Sequence, residues 1–210
     1  MNNSDKIKTI KKNNTSKFKE KGSAFLGFAY NASTQESANS NLKNLKKEFY
    51  DATHHCYAYK LSSGEEKYSD DGEPNGTAGL RILNSINHFN LTNILVVVVR
   101  YFGGTKLGVG PLGKAYFKSA FEVLESSHFI ELTKFQQIGI SYSYDDTSKI
   151  HHLIKKFGCK KISEKFDKSP KITCYLEPSK ISILEAEVTN LTQGKSCLIL
   201  KNEEIYLEVT

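Results

Sequence analysis

The sequence predicts an α+β protein of two domains, and three observations carry that expectation. Residues 94–99 form an unbroken aliphatic run, short enough for a strand buried on both faces and too short for a membrane span. From residue 136 onward the pattern reads strand–helix–strand–strand–helix–strand, the split βαβ or ferredoxin-like order. The composition is that of an ordinary globular chain, 39% hydrophobic and 25% charged over 210 residues, which is enough for two small cores.

The expected boundaries are a flexible basic arm over 1–20, a first domain over 21–133 and a ferredoxin-like domain over 134–210. The first 21 residues hold seven lysines, two carboxylates and no apolar stretch of signal-peptide type, so they are expected to be a mobile arm rather than a leader. Ala24 to Ala32 is apolar and aromatic and suits a strand. Ser33 or Thr34 caps a helix whose Ala38, Leu42, Leu45 and Phe49 share a face. An alternating aromatic strand follows within 51–61, closed by the turn signal Ser62-Ser63-Gly64. Thr77 is expected to cap a helix carrying Leu80, Leu83, Ile86 and Phe89 inward. The buried strand over 93–99 then runs into a glycine-dense loop, and Pro111 sits in the first turn of the next helix, with Leu112, Ala115, Ser119 and Val123 on its apolar stripe.

A linking strand is expected over 129–135. Alternation at Ile138, Ile140, Tyr142 and Tyr144 gives the next strand. Asp145-Asp146 caps a helix with Ile150, Leu153, Ile154 and Phe157, and Gly158 suits its C′ position. Strands near 160–166 and 171–177, a helix opening at Pro178, and β-rich segments around 197–200 and 204–209 complete the domain.

Two stretches carry chemistry. Asp70-Asp-Gly-Glu-Pro-Asn-Gly-Thr-Ala-Gly79 crowds three carboxylates into a glycine-rich turn; like charges so close need solvent, backbone amides or cations. Asp70, Asp71 and Glu73 could ligate Mg²⁺ or orient a water, or they could staple the turn while Thr77 caps the helix. The spacing is not that of an EF-hand. In Arg100-Tyr-Phe-Gly-Gly-Thr-Lys-Leu-Gly-Val-Gly-Pro-Leu-Gly-Lys114, five glycines lie between a strand and a helix start, with Arg100, Lys106 and Lys114 adding positive charge. Such a loop can cradle an anion with backbone amides, or let strand and helix pack closely. It fits neither the Walker A nor the dinucleotide spacing. His54-His55-Cys56 lacks a second ligand pair at zinc spacing, and neighbours on a strand point to opposite faces. No metal or cofactor is expected. Cys56, Cys159, Cys174 and Cys197 form no Cys-x-x-Cys pair, which fits reduced thiols in the cytoplasm.

Asp51-Ala-Thr-His-His-Cys-Tyr-Ala-Tyr59, Tyr68-Ser-Asp-Asp-Gly-Glu-Pro-Asn-Gly-Thr-Ala-Gly79 and Val98-Val-Arg-Tyr-Phe-Gly-Gly-Thr-Lys-Leu-Gly108 resemble, in that order, the hallmark segments of the IMPACT/YigZ family. Lys21-Gly-Ser-Ala-Phe-Leu-Gly27 resembles its opening strand, so the likeness spans roughly 20–130, and the remainder is similar to the small C-terminal domain of bacterial members. Asn75, Leu80-Arg-Ile and Pro111 depart from the usual pattern. The resemblance implies that the first domain is like the second domain of a small-subunit ribosomal protein and the second like domain V of elongation factor G, both of which meet RNA or the ribosome. It also implies translational control, since eukaryotic members compete for a partner of a starvation-responsive kinase.

The function expected is therefore non-catalytic: a translation-associated regulator that binds RNA, the ribosome or a translation factor, with no membrane partner. Lysines clustered over 6–21 and 155–171 favour a polyanion. Two alternatives are an enzyme acting on a small phosphorylated or peptide-like substrate, and an inhibitor module for a protein partner. The candidate groove comprises His54, Asp70, Asp71, Glu73, Thr77, Arg100, Gly103, Gly104, Lys106 and Lys114.

Overall fold

The computed structural model describes residues 5–209, which contain ten strands and five α-helices. They divide into two compact units, one over residues 7–131 and the other over 132–209 together with residues 5 and 6. The chain is α+β, with two antiparallel five-stranded sheets.

In the first unit, β1 (Lys6–Ile10) and β2 (Asn14–Glu20) precede β3 (Ser23–Asn31), α1 (Gln35–Glu48), β4 (His54–Lys60), β5 (Glu66–Ser69), α2 (Gly79–His88), β6 (Ile94–Tyr101) and α3 (Val109–Glu125). Its sheet runs β2-β3-β6-β4-β5. β6 is central and buried along almost its whole length, as its aliphatic run requires. Leu95, Val97 and Val99 face α1, packing with Phe28, Leu45 and Tyr59. Val96 and Val98 face α2 and α3, packing with Phe25, Ile82, Tyr116 and Val123. Thr34 caps α1 through a reciprocal bond pair with Ser37.

The expected mobile arm is instead two strands from residue 6 on, with residues 1–4 outside the described part. Ile10 is fully buried, the Thr9 hydroxyl donates to Asn93 O at 3.1 Å, and Phe18 stacks on Phe25 with centroids 5.1 Å apart. Exposed Thr15, Lys17 and Lys19 alternate with half-buried Asn14, Ser16, Phe18 and Glu20, so the lysines mark the outer face of an outer strand. In α2 Leu83 and Ile86 face inward as expected and Phe89 packs against the same core, while Ile82 rather than Leu80 completes the buried stripe.

β7 (Phe129–Ser141) is one continuous strand where two were expected. In the second unit it is followed by a 3₁₀ turn at Tyr144–Asp146, α4 (Thr147–Lys156), β8 (Lys160–Phe166), β9 (Pro170–Leu176), α5 (Pro178–Leu191) and β10 (Cys197–Leu207). Four strands of the second sheet, in the order β10-β7-β9-β8 and all antiparallel, make the ferredoxin-like arrangement, and β1 is the fifth strand, also beside β7. Asp146 stands at the head of α4 without bonding its amides, because its carboxylate accepts from Ser143 and Lys149 instead. Gly158, at φ +70°, ends α4: its amide bonds Lys155 O, and the Cys159 amide reaches back to Ile154 O. Ile138, Ile140, Ile172, Cys174 and Leu176 pack against Ile150, Leu153, Leu184 and Val188, so α4 and α5 cover one face of the sheet.

Candidate functional site

The site lies in the first unit, where β6 and β4 deliver side chains to the face beneath α3. Antiparallel pairing sets His54 directly opposite Arg100, and Cys56 opposite Val98. Residues two apart on a strand share a face, so His54 and Cys56 point the same way, although His55 between them does not. Adjacency within His54-His55-Cys56 conceals that pairing in the sequence.

The three carboxylates of the acidic loop go three ways. Asp70 is a backbone staple: its Oδ1 accepts from the amides of Ala78 and Gly79 at 2.9 and 2.8 Å, and its Oδ2 from Gly76 at 2.9 Å. It thereby caps α2 from outside the helix. Thr77, the expected cap, instead donates its hydroxyl to Pro74 O at 2.6 Å and is buried, while Ala78 occupies the N-cap position without a side-chain bond. Asp71, at φ +44°, turns toward α1 and β4, accepting from Lys46 Nζ at 2.9 Å and the His55 amide at 2.7 Å. Burial pushes its pKa up, but the hydrogen bonds and charges of Lys46 and His55 outweigh that and hold the carboxyl below the usual range.

Glu73 turns inward, its side chain only 5% exposed. Its Oε1 accepts from Arg100 Nη1 at 2.5 Å and from the Tyr116 hydroxyl at 2.8 Å, and His54 Nε2 lies 3.7 Å away. Arg100 also donates Nη2 to Ser23 Oγ at 3.3 Å, and its guanidinium sits 5.5 Å from the Phe25 ring centroid and 5.6 Å from that of Phe102. His54 Nδ1 meets Asp71 O at 2.8 Å. Burial pushes the Tyr116 hydroxyl well above its ordinary value, so it stays a neutral donor. Burial does the same to the Cys56 thiol, which donates to Asp70 O at 3.0 Å; a protonated, enclosed thiol is a poor nucleophile. Among the described residues no three His, Cys, Asp or Glu side chains are arranged to hold a metal ion.

Above the Glu73–Arg100 pair is a cavity of about 330 Å³ lined by both loops: Glu73 and Pro74 from one, Arg100, Phe102, Lys106, Leu107, Gly108 and Val109 from the other, and Leu112 from α3. The acidic and glycine-rich segments therefore meet. Lys114 does not join them. It lines a neighbouring cavity of about 470 Å³ with Arg81, Asn84, Gly110 and Phe117. The glycines also divide by role. A Cβ on Gly103 would lie 1.9 Å from Gly22 C, so Gly103 serves packing, whereas Gly104, at φ +85°, borders open space. Tyr116 and Phe102 were not among the expected site residues. Tyr116 falls on the apolar stripe of α3, where a hydroxyl is itself the signal of a buried partner.

His55 offers a pH test. Burial holds its imidazole below the ordinary value near 6.5 despite the opposing charge of Asp71. The folded state thus binds the proton less readily than the unfolded one. His55 contributes stability that is fully present above about pH 6.5 and lost as pH falls through the lowered folded value. Urea unfolding at pH 7.5 and 5.5 should show a smaller difference in His55→Gln than in the natural sequence; equal differences would remove His55 as the cause.

A first unit with helices on both faces of its sheet, holding a buried glutamate–arginine pair beside a small cavity, followed by a ferredoxin-like unit, defines a two-unit α+β protein. Residues 21–124 match the Impact N-terminal domain, and residues 140–195 match a domain of unknown function, DUF1949. The chain belongs to the IMPACT family. It is 34% identical over 190 residues to the IMPACT family member YvyE of Bacillus subtilis, covering 89% of this chain and 86% of that one. With YigZ of Escherichia coli it shares 27% over 187 residues, covering 87% and 92%. The Protein IMPACT homolog of Saccharomyces cerevisiae matches over 96 residues at 32%, covering 42% of this chain and 36% of that one. A crystal structure described as that of a hypothetical protein superposes with a TM-score of 0.75 at 26% identity, covering 95% of this chain and 98% of the other. No helix among the described residues is long and apolar enough to cross a membrane.

Proposed function

We propose that this protein is a non-catalytic, translation-associated regulator that binds RNA, on the ribosome or free, through the uncovered face of its C-terminal sheet. One observation carries the reading: four lysines gather on that face. Register places Lys165 beside Lys171, and Ser163, Thr173, Gly139 and Ile199 in one row across four strands. Lys201 lies across Gly139, its Cε 3.5 Å from where a glycine Cβ would stand, and its Nζ meets Thr173 Oγ1 at 3.5 Å. Lys161 Nζ sits 6.0 Å from the Tyr175 ring centroid. All four lysines are exposed. Tyr175 is 7% exposed and donates to Glu203, so its ring is unavailable to a base. The face is thus suited to phosphates rather than to base stacking, and to RNA shape rather than sequence. The family's eukaryotic members, linked to translational control, support the cellular setting.

Binding of a structured RNA should be salt-dependent, log K falling against log salt with a slope of about −3 when four lysines displace counterions. The triple variant Lys165→Glu, Lys171→Glu, Lys201→Glu should lose most affinity in a filter-binding titration. Affinity absent at low salt, or indifferent to salt, would sink the proposal.

A further inference from the structure

The cavity above the Glu73–Arg100 pair lies in the other unit and bears on a separate activity. We propose that it binds a small organic carboxylate whose apolar body ends in a hydrogen-bond donor. The donor end is fixed by Glu73. All three of its neighbours address Oε1, namely Arg100, Tyr116 and His54. Oε2 accepts no hydrogen bond from the described residues, although the side chain is 5% exposed and lines the cavity. Oε2 is not one of the enclosed unpartnered atoms, so it opens to the cavity, where a ligand hydroxyl or amide N–H would take the place of water. The adjoining Arg100 Nε–H, which is enclosed, has no acceptor.

The anionic end is fixed by charge. Glu73 and Arg100 neutralise each other, which leaves Lys106 as the uncompensated charge on the lining: it is exposed and makes no ion pair among the described residues. Beside it α3 begins at Val109 with no side-chain cap on its amides; such a helix start attracts negative charge. Gly108, at the N-cap position, lines the cavity together with Val109. One cation suits a carboxylate better than a phosphate monoester, which carries roughly two charges. Between the two ends, Pro74, Phe102, Leu107 and Leu112 supply apolar wall. A volume of about 330 Å³ is at the small end of ligand pockets and admits a molecule on the order of ten heavy atoms.

The test is a two-dimensional amide NMR titration of the whole chain with 4-hydroxyphenylacetate, which carries a carboxylate, a ring and a hydroxyl donor. Saturable shifts should centre on Leu107, Gly108 and Val109, with Kd on the order of 1 mM or tighter. Tyrosol, which lacks the charge, and 4-methoxyphenylacetate, which lacks the donor, should each bind about tenfold more weakly, the equivalent of one good polar contact. Lys106→Ala alters an exposed position and should weaken the acid similarly while leaving the thermal midpoint near that of the natural chain. Equal binding of the three aromatic probes, tighter binding of inorganic phosphate, shifts centred elsewhere or no saturable shift would each overturn the assignment. None of these results bears on the lysine face, so the two proposals fail separately.

Discussion

Replacing Glu73 with alanine is expected to destabilise the first unit by about 3–5 kcal/mol, measured by urea or guanidinium unfolding. The loss comes less from the missing attraction than from what remains. Arg100 is 5% exposed and would keep its charge with only Ser23 Oγ as a neutral acceptor, and the buried Tyr116 hydroxyl would lose its acceptor too. Glu73→Gln should cost less, because an amide oxygen still accepts from Arg100 and Tyr116 at nearly the same volume. The double variant Glu73→Ala with Arg100→Met should recover much of the single variant's loss, since no unpaired charge is then buried. If Glu73→Ala unfolds within about 1 kcal/mol of the natural chain, the pair is solvated in solution and the enclosed geometry is wrong.

The second large effect is expected at Asp70. Its carboxylate takes the amides of Gly76, Ala78 and Gly79 at 2.8–2.9 Å, and Ala78 and Gly79 are buried. Asp70→Ala strands three backbone donors at the head of α2, with a loss of about 2–4 kcal/mol given that charge-assisted bonds contribute roughly twice what neutral ones do. Asp70→Asn keeps the two lone-pair positions on one oxygen and turns the other into a donor that faces the Gly76 amide, so it should fall between alanine and the natural residue. Amide exchange makes the effect specific: Ala78 and Gly79 should lose protection in Asp70→Ala while the β6 amides change only with global stability. Uniform loss, or none at α2, would show that the loop is held by something other than this carboxylate.

Most of the fold is legible in the residues because local and global preferences agree. The aliphatic run of β6, the Thr34 cap, Gly158 at its left-handed C′ position and Pro178 at the head of α5 each name their own structure. β1 and β2 are less legible. Their alternation is written in Lys17, Lys19 and Thr15 outside against Ser16 and Phe18 inside, and a lysine-rich strand with one aromatic reads like a solvated tail. The site is half legible. Glu73 and Arg100 stand 27 residues apart, and only the His54–Arg100 register brings their segments under one helix. Composition announces that three carboxylates crowd one turn, but not that Asp70 serves the backbone, Asp71 serves α1, and Glu73 alone reaches the cavity. That division follows from the left-handed residues Asp71 and Gly72 and from Gly76, which turn successive side chains in different directions.

The outermost strand of the ferredoxin-like sheet has a consequence for self-association. β8 ends the strand order, and every residue from Lys160 to Phe166 is exposed, with Ile162 and Phe166 among them. A free border of unpaired amides and carbonyls with apolar side chains is a template for another chain to add a strand. Lys160, Lys161 and Lys165, with the break in register between Lys160 and Ser163, oppose that addition by charge repulsion and local twist. The lysines of the proposed polyanion face thus also oppose strand addition, and a modification that removes their charge is expected to weaken both properties together.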